Sequence, residues 1–172
     1  MESNIKIEIA NETQCMELVK LKFAVWKTIY NGIYPSEKFD NYDFAVQEKK
    51  FKNWVLDKSG KFYVAKDEKL NKIIGYCYVG FSARAFKKGV PEIILLYILK
   101  EYQGNGIGRK FFELSKAFLK EKGCEEFIIS CNKYNFPAQK FYEKMGGKVI
   151  FVEDDNTDKS LPQIKYLYSL KD

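Results

Sequence analysis

The stretch that decides the fold is Ile93-Ile94-Leu95-Leu96-Tyr97-Ile98-Leu99, followed three residues later by Gln103-Gly104-Asn105-Gly106-Ile107-Gly108-Arg109-Lys110. The first run is apolar and rich in β-branched residues, with almost no polar alternation. That pattern predicts a strand buried on both faces, near the middle of a sheet. From Phe111 to Lys122 the period is helical, with Phe111, Leu114 and Phe118 on one face, flanked by Phe112 and Leu119. The order is strand, glycine-rich turn, helix. Glycines at 104, 106 and 108 allow a tight turn, and their missing Cβ atoms allow a ligand to approach. The free N–H groups and positive dipole end of the helix then form a site for an anion, most often a phosphate.

Outward from this centre the chain reads as one domain spanning 1–172. Ile5 to Ala10 alternates as a half-exposed strand. Asn11 to Thr13 supplies a helix cap, and Met16, Val19, Phe23, Trp26 and Tyr30 recur at helical spacing up to Asn31-Gly32. Tyr34, Phe39 and Tyr42 lie in an irregular aromatic segment, and Phe44, Gln47, Phe51, Trp54 and Val55 mark a second helix that ends near Ser59-Gly60. Two strands, Lys61 to Lys66 and Lys72 to Ser82, flank a polar turn, with Gly75 and Gly80 marking bulges or close approaches. Ala83 to Gly89 is a basic loop. After the central helix come a short strand (Phe127 to Cys131), a helix (Asn135 to Met145), and two closing strands (Lys148 to Glu153 and Gln163 to Leu170). The polar loop Asp154 to Ser160 joins those last two. The expected class is a mixed α/β (α+β) domain, with a mostly antiparallel sheet of about seven strands flanked by about four helices.

Composition narrows the chemistry. Hydrophobic residues make up 46% and charged residues 30%, as in a soluble globular protein. The net charge of +6 favours an anionic ligand without marking a nucleic-acid binder. No apolar run approaches the ~18 residues of a membrane span, and the N-terminus lacks a signal-peptide pattern. The chain has no histidine, which excludes Ser-His-Asp and Cys-His catalysis and any zinc site that needs imidazole. Cys15, Cys77, Cys124 and Cys131 form no C-x-x-C pair, so no metal or redox site is expected. Their free thiols suit a reducing cytoplasm.

Three phosphate-binding patterns compete for Gln103 to Lys110. A nucleotide P-loop needs G-x-x-x-x-G-K-[ST]; here Gly104 and Gly108 are one residue too close, and Phe111 follows Lys110. A dinucleotide fingerprint needs G-x-G-x-x-G, and Arg109 occupies the third glycine position. The pattern [RQ]-x-x-G-x-[GA] is met by Gln103, Gly106 and Gly108. About thirty residues on, Asn135-Phe136-Pro137-Ala138-Gln139-Lys140-Phe141-Tyr142-Glu143-Lys144-Met145-Gly146 fits N-x-x-A-x-x-F-Y-x-K-x-G. With both motifs in order, the chain resembles the GCN5-related N-acetyltransferase (GNAT) superfamily over nearly its whole length.

The resemblance implies an acetyl-CoA-dependent N-acetyltransferase in which an amine attacks directly in a ternary complex, with no metal. It implies that the backbone from Gly104 through Asn105, Gly106, Ile107 and Gly108 to Arg109 holds the pyrophosphate, with Gln103 at its head. The main chain of Leu96, Tyr97 and Ile98 would pair with the pantetheine arm, and the Ile98 N–H would polarise the thioester carbonyl. Asn135 would contact the cofactor arm; read from position alone, it is a helix cap. Tyr142 would protonate the departing thiolate, and a tyrosine of pKa about 10 is suitably protonated at neutral pH. Glu92, at the start of the central strand, is the candidate base. The expected acceptor is a small amine, and Trp26 to Pro35 resembles bacterial members that acetylate polyamines. A protein N-terminus or lysine, or a non-catalytic CoA sensor, are the alternatives. Neither nucleic acid nor membrane is expected as a partner, and the chain is expected to be a monomer or homodimer. Where the family often has Gly-Phe after the second motif, this chain has Gly146-Gly147.

Overall fold

The computed structural model describes residues 4–154 and 161–171. Seven strands form one sheet in the order β1-β2-β3-β4-β5-β7-β6. They are β1 (Ile5–Ile9), β2 (Lys61–Asp67), β3 (Lys72–Gly80), β4 (Glu92–Ile98), β5 (Glu126–Asn132), β6 (Lys148–Val152) and β7 (Gln163–Ser169). Every neighbouring pair is antiparallel except β4 with β5. The apolar strand at the heart of the sequence is thus the fourth of seven, as its lack of polar alternation predicts. The helices are α1 (Cys15–Ile29), α2 (Glu37–Asp40), α3 (Phe44–Leu56), α4 (Ile107–Glu121) and α5 (Phe136–Lys144). The short α2 lies within the aromatic segment and brings the count to five rather than about four. The polar loop expected at Asp154 to Ser160 lies, after Asp154, outside the described residues.

Two cores form on opposite faces. On one, α4 and α5 cover Ile93, Ile98, Phe127, Ile129, Tyr166 and Tyr168. On the other, α1 and α3 cover Phe62, Val64, Tyr76, Tyr78 and Leu95. The second core draws no buried residue from β5, β6 or β7, so α1 and α3 serve only the β1–β4 half. Helix α4 spans the seam between halves: its Leu114 carbonyl accepts from the Tyr63 hydroxyl of β2 at 3.4 Å, and its Phe112 ring meets Phe127 of β5 and Tyr168 of β7 at 5.5 and 4.9 Å.

Two helical faces differ from expectation. In α1 the buried set is Cys15, Leu18, Val19, Leu21, Lys22 and Val25. Phe23 and Trp26 instead turn towards Phe39, Tyr42 and Phe44, an aromatic cluster built by α2 and the start of α3. In α4 Leu114 is exposed, and Ser115 is buried in its place. Ser115 fits there because its hydroxyl donates to the Phe111 carbonyl (2.8 Å) and lies 3.6 Å from the Cys77 sulfur.

The expected bulge at Gly75 is present. The β2–β3 register slips beyond the Ala65–Gly75 pair, and a Cβ on Gly75 would come within 3.0 Å of the Tyr97 carbonyl. A second slip, between Tyr78 and Val79, leaves Ile94 without a partner on β3.

Candidate active site

The site grows out of a failure of pairing. Strands β4 and β5 match only at Glu92–Ile128 and Ile93–Ile129, then diverge. Parallel strands are held together by evenly spaced bonds, so beyond Ile93 the sheet opens into a V. A cleft of about 1020 Å³ occupies it. Its walls come from both faces of the sheet: Ala24 and Thr28 of α1 with Tyr30 at its C-cap on one, Phe141 and Tyr142 of α5 on the other.

Antiparallel pairing dictates which main-chain groups face the V. The Leu99 N–H donates to the Ile74 carbonyl at 2.9 Å. Since β4 and β3 pair in step from Gly75–Ile98 to Tyr78–Leu95, alternation turns Tyr97 and Leu95 towards β3 and Leu96 and Ile98 towards the cleft. The Ile98 carbonyl, so directed, accepts from the Gln103 side-chain amide at 3.0 Å. Of the three residues expected to meet the cofactor arm, Leu96 and Ile98 therefore present main-chain groups. Tyr97 presents its ring, whose hydroxyl accepts from the Trp26 indole N–H at 3.0 Å.

At the mouth of the V, Gly104 and Gly106 adopt φ of +80° and +79°, the left-handed region where a side chain is strained. The Asn105 amide braces the turn through the Tyr102 and Gln103 carbonyls. Helix α4 then starts at Ile107, earlier than its apolar period suggests. Lys110 is the first residue to bond within it, to the Gly106 carbonyl at 3.0 Å. The N–H groups of Ile107, Gly108 and Arg109 are left as an anion cradle with the helix dipole behind them. Gly108 plays a different part from the other two glycines. It has ordinary helical geometry, and its missing Cβ leaves room for the Phe141 ring, which would otherwise lie 3.1 Å away. It brings α4 close to α5 rather than to a ligand.

Asn135 caps α5, its side-chain oxygen accepting from the Ala138 N–H at 3.2 Å. Its side-chain NH2 donates to the Tyr30 hydroxyl at 3.4 Å, which ties α5 to the end of α1 across the cleft. Tyr142 lines the cleft and is buried. Burial pushes its phenol well above the ordinary pKa of 10, reinforced by Cys131, Tyr97, Tyr30 and Tyr168. It therefore stays protonated at every physiological pH. Burial likewise pushes the Cys77 and Cys131 thiols up to about 12, so neither is a thiolate nucleophile at neutral pH.

Glu92 sits apart from these groups, at the closed end of the V, where its carboxylate accepts from the Phe86 N–H at 3.1 Å. It is not among the residues lining the cleft. Sequence reasoning did not single out Ser130, the first β5 residue past the point of divergence, which does line it. Its only signal was a lone polar residue inside an apolar strand.

The substitution of Gly147 for an aromatic has a structural cause. A Cβ there would lie 2.6 Å from the Tyr168 hydroxyl. That hydroxyl donates to the Tyr142 carbonyl at 2.8 Å, so Tyr168 packs where a side chain on 147 would go.

The profile of the Acetyltransferase (GNAT) family matches residues 23–147. The chain belongs to the GNAT family. It is an N-acetyltransferase by that membership. This GNAT protein is 28% identical over 128 residues to the uncharacterized N-acetyltransferase YuaI of Bacillus subtilis, covering 74% of this chain and 70% of that one. Its fold matches the PaiA N-acetyltransferase of Thermoplasma acidophilum, solved in complex with coenzyme A, with a TM-score of 0.78 at 22% identity over 96% of this chain and 99% of that one. It also matches YncA of Salmonella typhimurium, a putative acetyltransferase solved with acetyl-CoA, with a TM-score of 0.72 at 15% identity over 99% and 96% of the two chains.

Proposed function

We propose that this GNAT protein transfers the acetyl group of acetyl-CoA to the primary amine of a small molecule, with both substrates bound at once. The observation that carries this reading is the divergence of β4 from β5 after Ile93 and Ile129. It puts an anion cradle at one end of a cleft and a buried phenol on its wall. Acetyl-CoA supplies an activated thioester: the amine nitrogen forms the new C–N bond, the C–S bond breaks, and the sulfur leaves as a thiolate.

The chain's own groups do the rest. The amides of Ile107, Gly108 and Arg109 bind the diphosphate. The main chain of Leu96 and Ile98 orients the pantetheine arm as an added strand, and the Ile98 N–H faces the carbonyl oxygen where negative charge grows. Tyr142 gives its proton to the leaving sulfur and regains one from water. Glu92, which does not line the cleft, takes the ammonium proton only through a relay of water from the closed end of the V. With Cys77 and Cys131 held as thiols, attack is direct rather than through an acetyl-cysteine. The reaction takes place in the cytoplasm, where the four free cysteines stay reduced.

The test is thiol release from acetyl-CoA across a panel of amines: monoamines, diamines, spermidine, amino acids and a lysine-containing peptide. Saturable release with a small amine is expected. Turnover confined to the peptide would replace the small molecule with a protein substrate. Acetyl-CoA binding with no turnover on any amine would leave a sensor.

A further inference from the structure

The cradle of α4 and the Tyr142 wall of α5 both lie on one face of the sheet. If they hold the cofactor, the attacking amine enters from the other face, the α1 side. The side chain of Ser130 points to that face, because its neighbours Ile129 and Cys131 are buried in the α4–α5 core. Ser130 is also the first residue of β5 past the last β4–β5 pair and lines the cleft, so its hydroxyl stands on the α1 side just beyond the vertex of the V. Directly across the strand pair from it is Lys165. The Lys165 ammonium donates to the Ser130 hydroxyl at 3.3 Å and lies 5.2 Å from the centre of the Phe86 ring. Phe86 in turn packs on Phe151 at 5.1 Å. These contacts hold a half-buried ammonium directly behind Ser130, which itself lines the cleft, and among the described residues it enters no ion pair.

We infer that Lys165, held by Ser130 and Phe86, selects an acceptor that carries a carboxylate close to its amine, so that the substrate class is an amino acid rather than a polyamine. The inference rests on the acetyl-transfer reading and names the acceptor of that same site. An amine hydrogen-bonded to the Ser130 hydroxyl at about 3 Å lies roughly 5–6 Å from the Lys165 nitrogen, counting the further hydrogen bond that joins Lys165 to Ser130. That span fits a carboxylate one or two carbons from the amine. Glu92 is on the same face at the closed end of the V, its partner Ile128 being two residues from Ser130. A zwitterion thus meets a positive group near its carboxylate, with the Glu92 carboxylate further off on the same face. The ammonium of Lys165 also favours loss of the proton from the nearby acceptor, which attack requires. A diamine or polyamine would set a second cation against Lys165 with nothing in return.

The experiment compares kcat/KM for thiol release with the proteinogenic amino acids and β-alanine, their carboxamides, putrescine and spermidine. Wild type and the Lys165→Gln and Lys165→Arg variants are measured, with acetyl-CoA affinity followed by calorimetry to show that each variant is folded. The best free acid is expected to exceed its carboxamide by about 10- to 100-fold. Lys165→Gln removes that ratio, Lys165→Arg retains most of it, and acetyl-CoA affinity stays within about twofold. Equal rates on acid and carboxamide, a preference for diamines, or an undiminished ratio in Lys165→Gln would each overturn the inference while leaving acetyl transfer intact. Release with no amine at all would overturn the acetyl-transfer reading itself.

Discussion

Tyr142 and Lys22 show what burial does to two opposite kinds of titratable group. For Tyr142 it raises the pKa and keeps the proton on, which is the state a thiolate needs to meet. Tyr142→Phe keeps the ring and its packing and removes only the donor. Turnover is expected to fall by about 10²- to 10³-fold, with acetyl-CoA affinity within about twofold by calorimetry. The wild-type rate should show no descending limb from Tyr142 below about pH 10. Lys22 is 7% exposed, 4.4 Å from the Trp26 ring centre, and its ammonium donates a hydrogen bond to the Gln47 side-chain oxygen at 3.4 Å. Burial, and then the charge of Lys50, push it down to about 8 from the ordinary 10.5. Between those values the unfolded chain binds the proton and the folded one does not, so this contribution to stability rises with pH from about 8 to 10.5. Below pH 8 the charged form is buried at a cost of about 3 kcal/mol. Lys22→Met is therefore expected to be more stable than wild type by roughly 1–3 kcal/mol at pH 7. Urea titrations should show that advantage shrinking as the pH passes 8 and gone by about 10.5.

At the scale of elements, the turn before α4 separates backbone need from packing need. Nothing lies within 4 Å of a Cβ on Gly106, so Gly106→Ala is resisted only by its left-handed backbone. The expected cost is about 1–2 kcal/mol of stability, together with weaker acetyl-CoA binding because the cradle amides shift. Chemical denaturation and calorimetry measure the two. Such local chemistry is legible in sequence. The left-handed Gly104 and Gly106 of the turn and the Asn135 cap act on their immediate neighbours, and they lie where they were expected. What was not legible depended on partners far along the chain. Leu114 yields the core to Ser115 because the Phe111 carbonyl and Cys77 happen to face that position. The burial of Lys22 depends on α3, whose Gln47 lies 25 residues further along the chain. Gly108 reads as one of three turn glycines until Phe141 packs against it. The pair Ser130–Lys165 needs the β5–β7 register, which no local pattern reports.

For the molecule as a whole, the sheet is two half-sheets hinged on two residue pairs and laced by α4. The central position of β4 followed from its apolar run, but the V did not. A strand that pairs fully and one that parts from its neighbour after two residues have the same composition. The difference is made by the bulge at Ile94 and by which half each helix covers. The V leaves a signature in amide hydrogen exchange along β4. The N–H groups of Leu95, Tyr97 and Leu99 are engaged by β3 and should exchange slowly with or without ligand. Those of Leu96 and Ile98 face the cleft and should exchange fast in the free protein, then slow when acetyl-CoA is added. One strand would thus carry an odd-even record of occupancy, readable amide by amide, and a uniform change along β4 would mean that the ligand closes the sheet instead of lying in its seam.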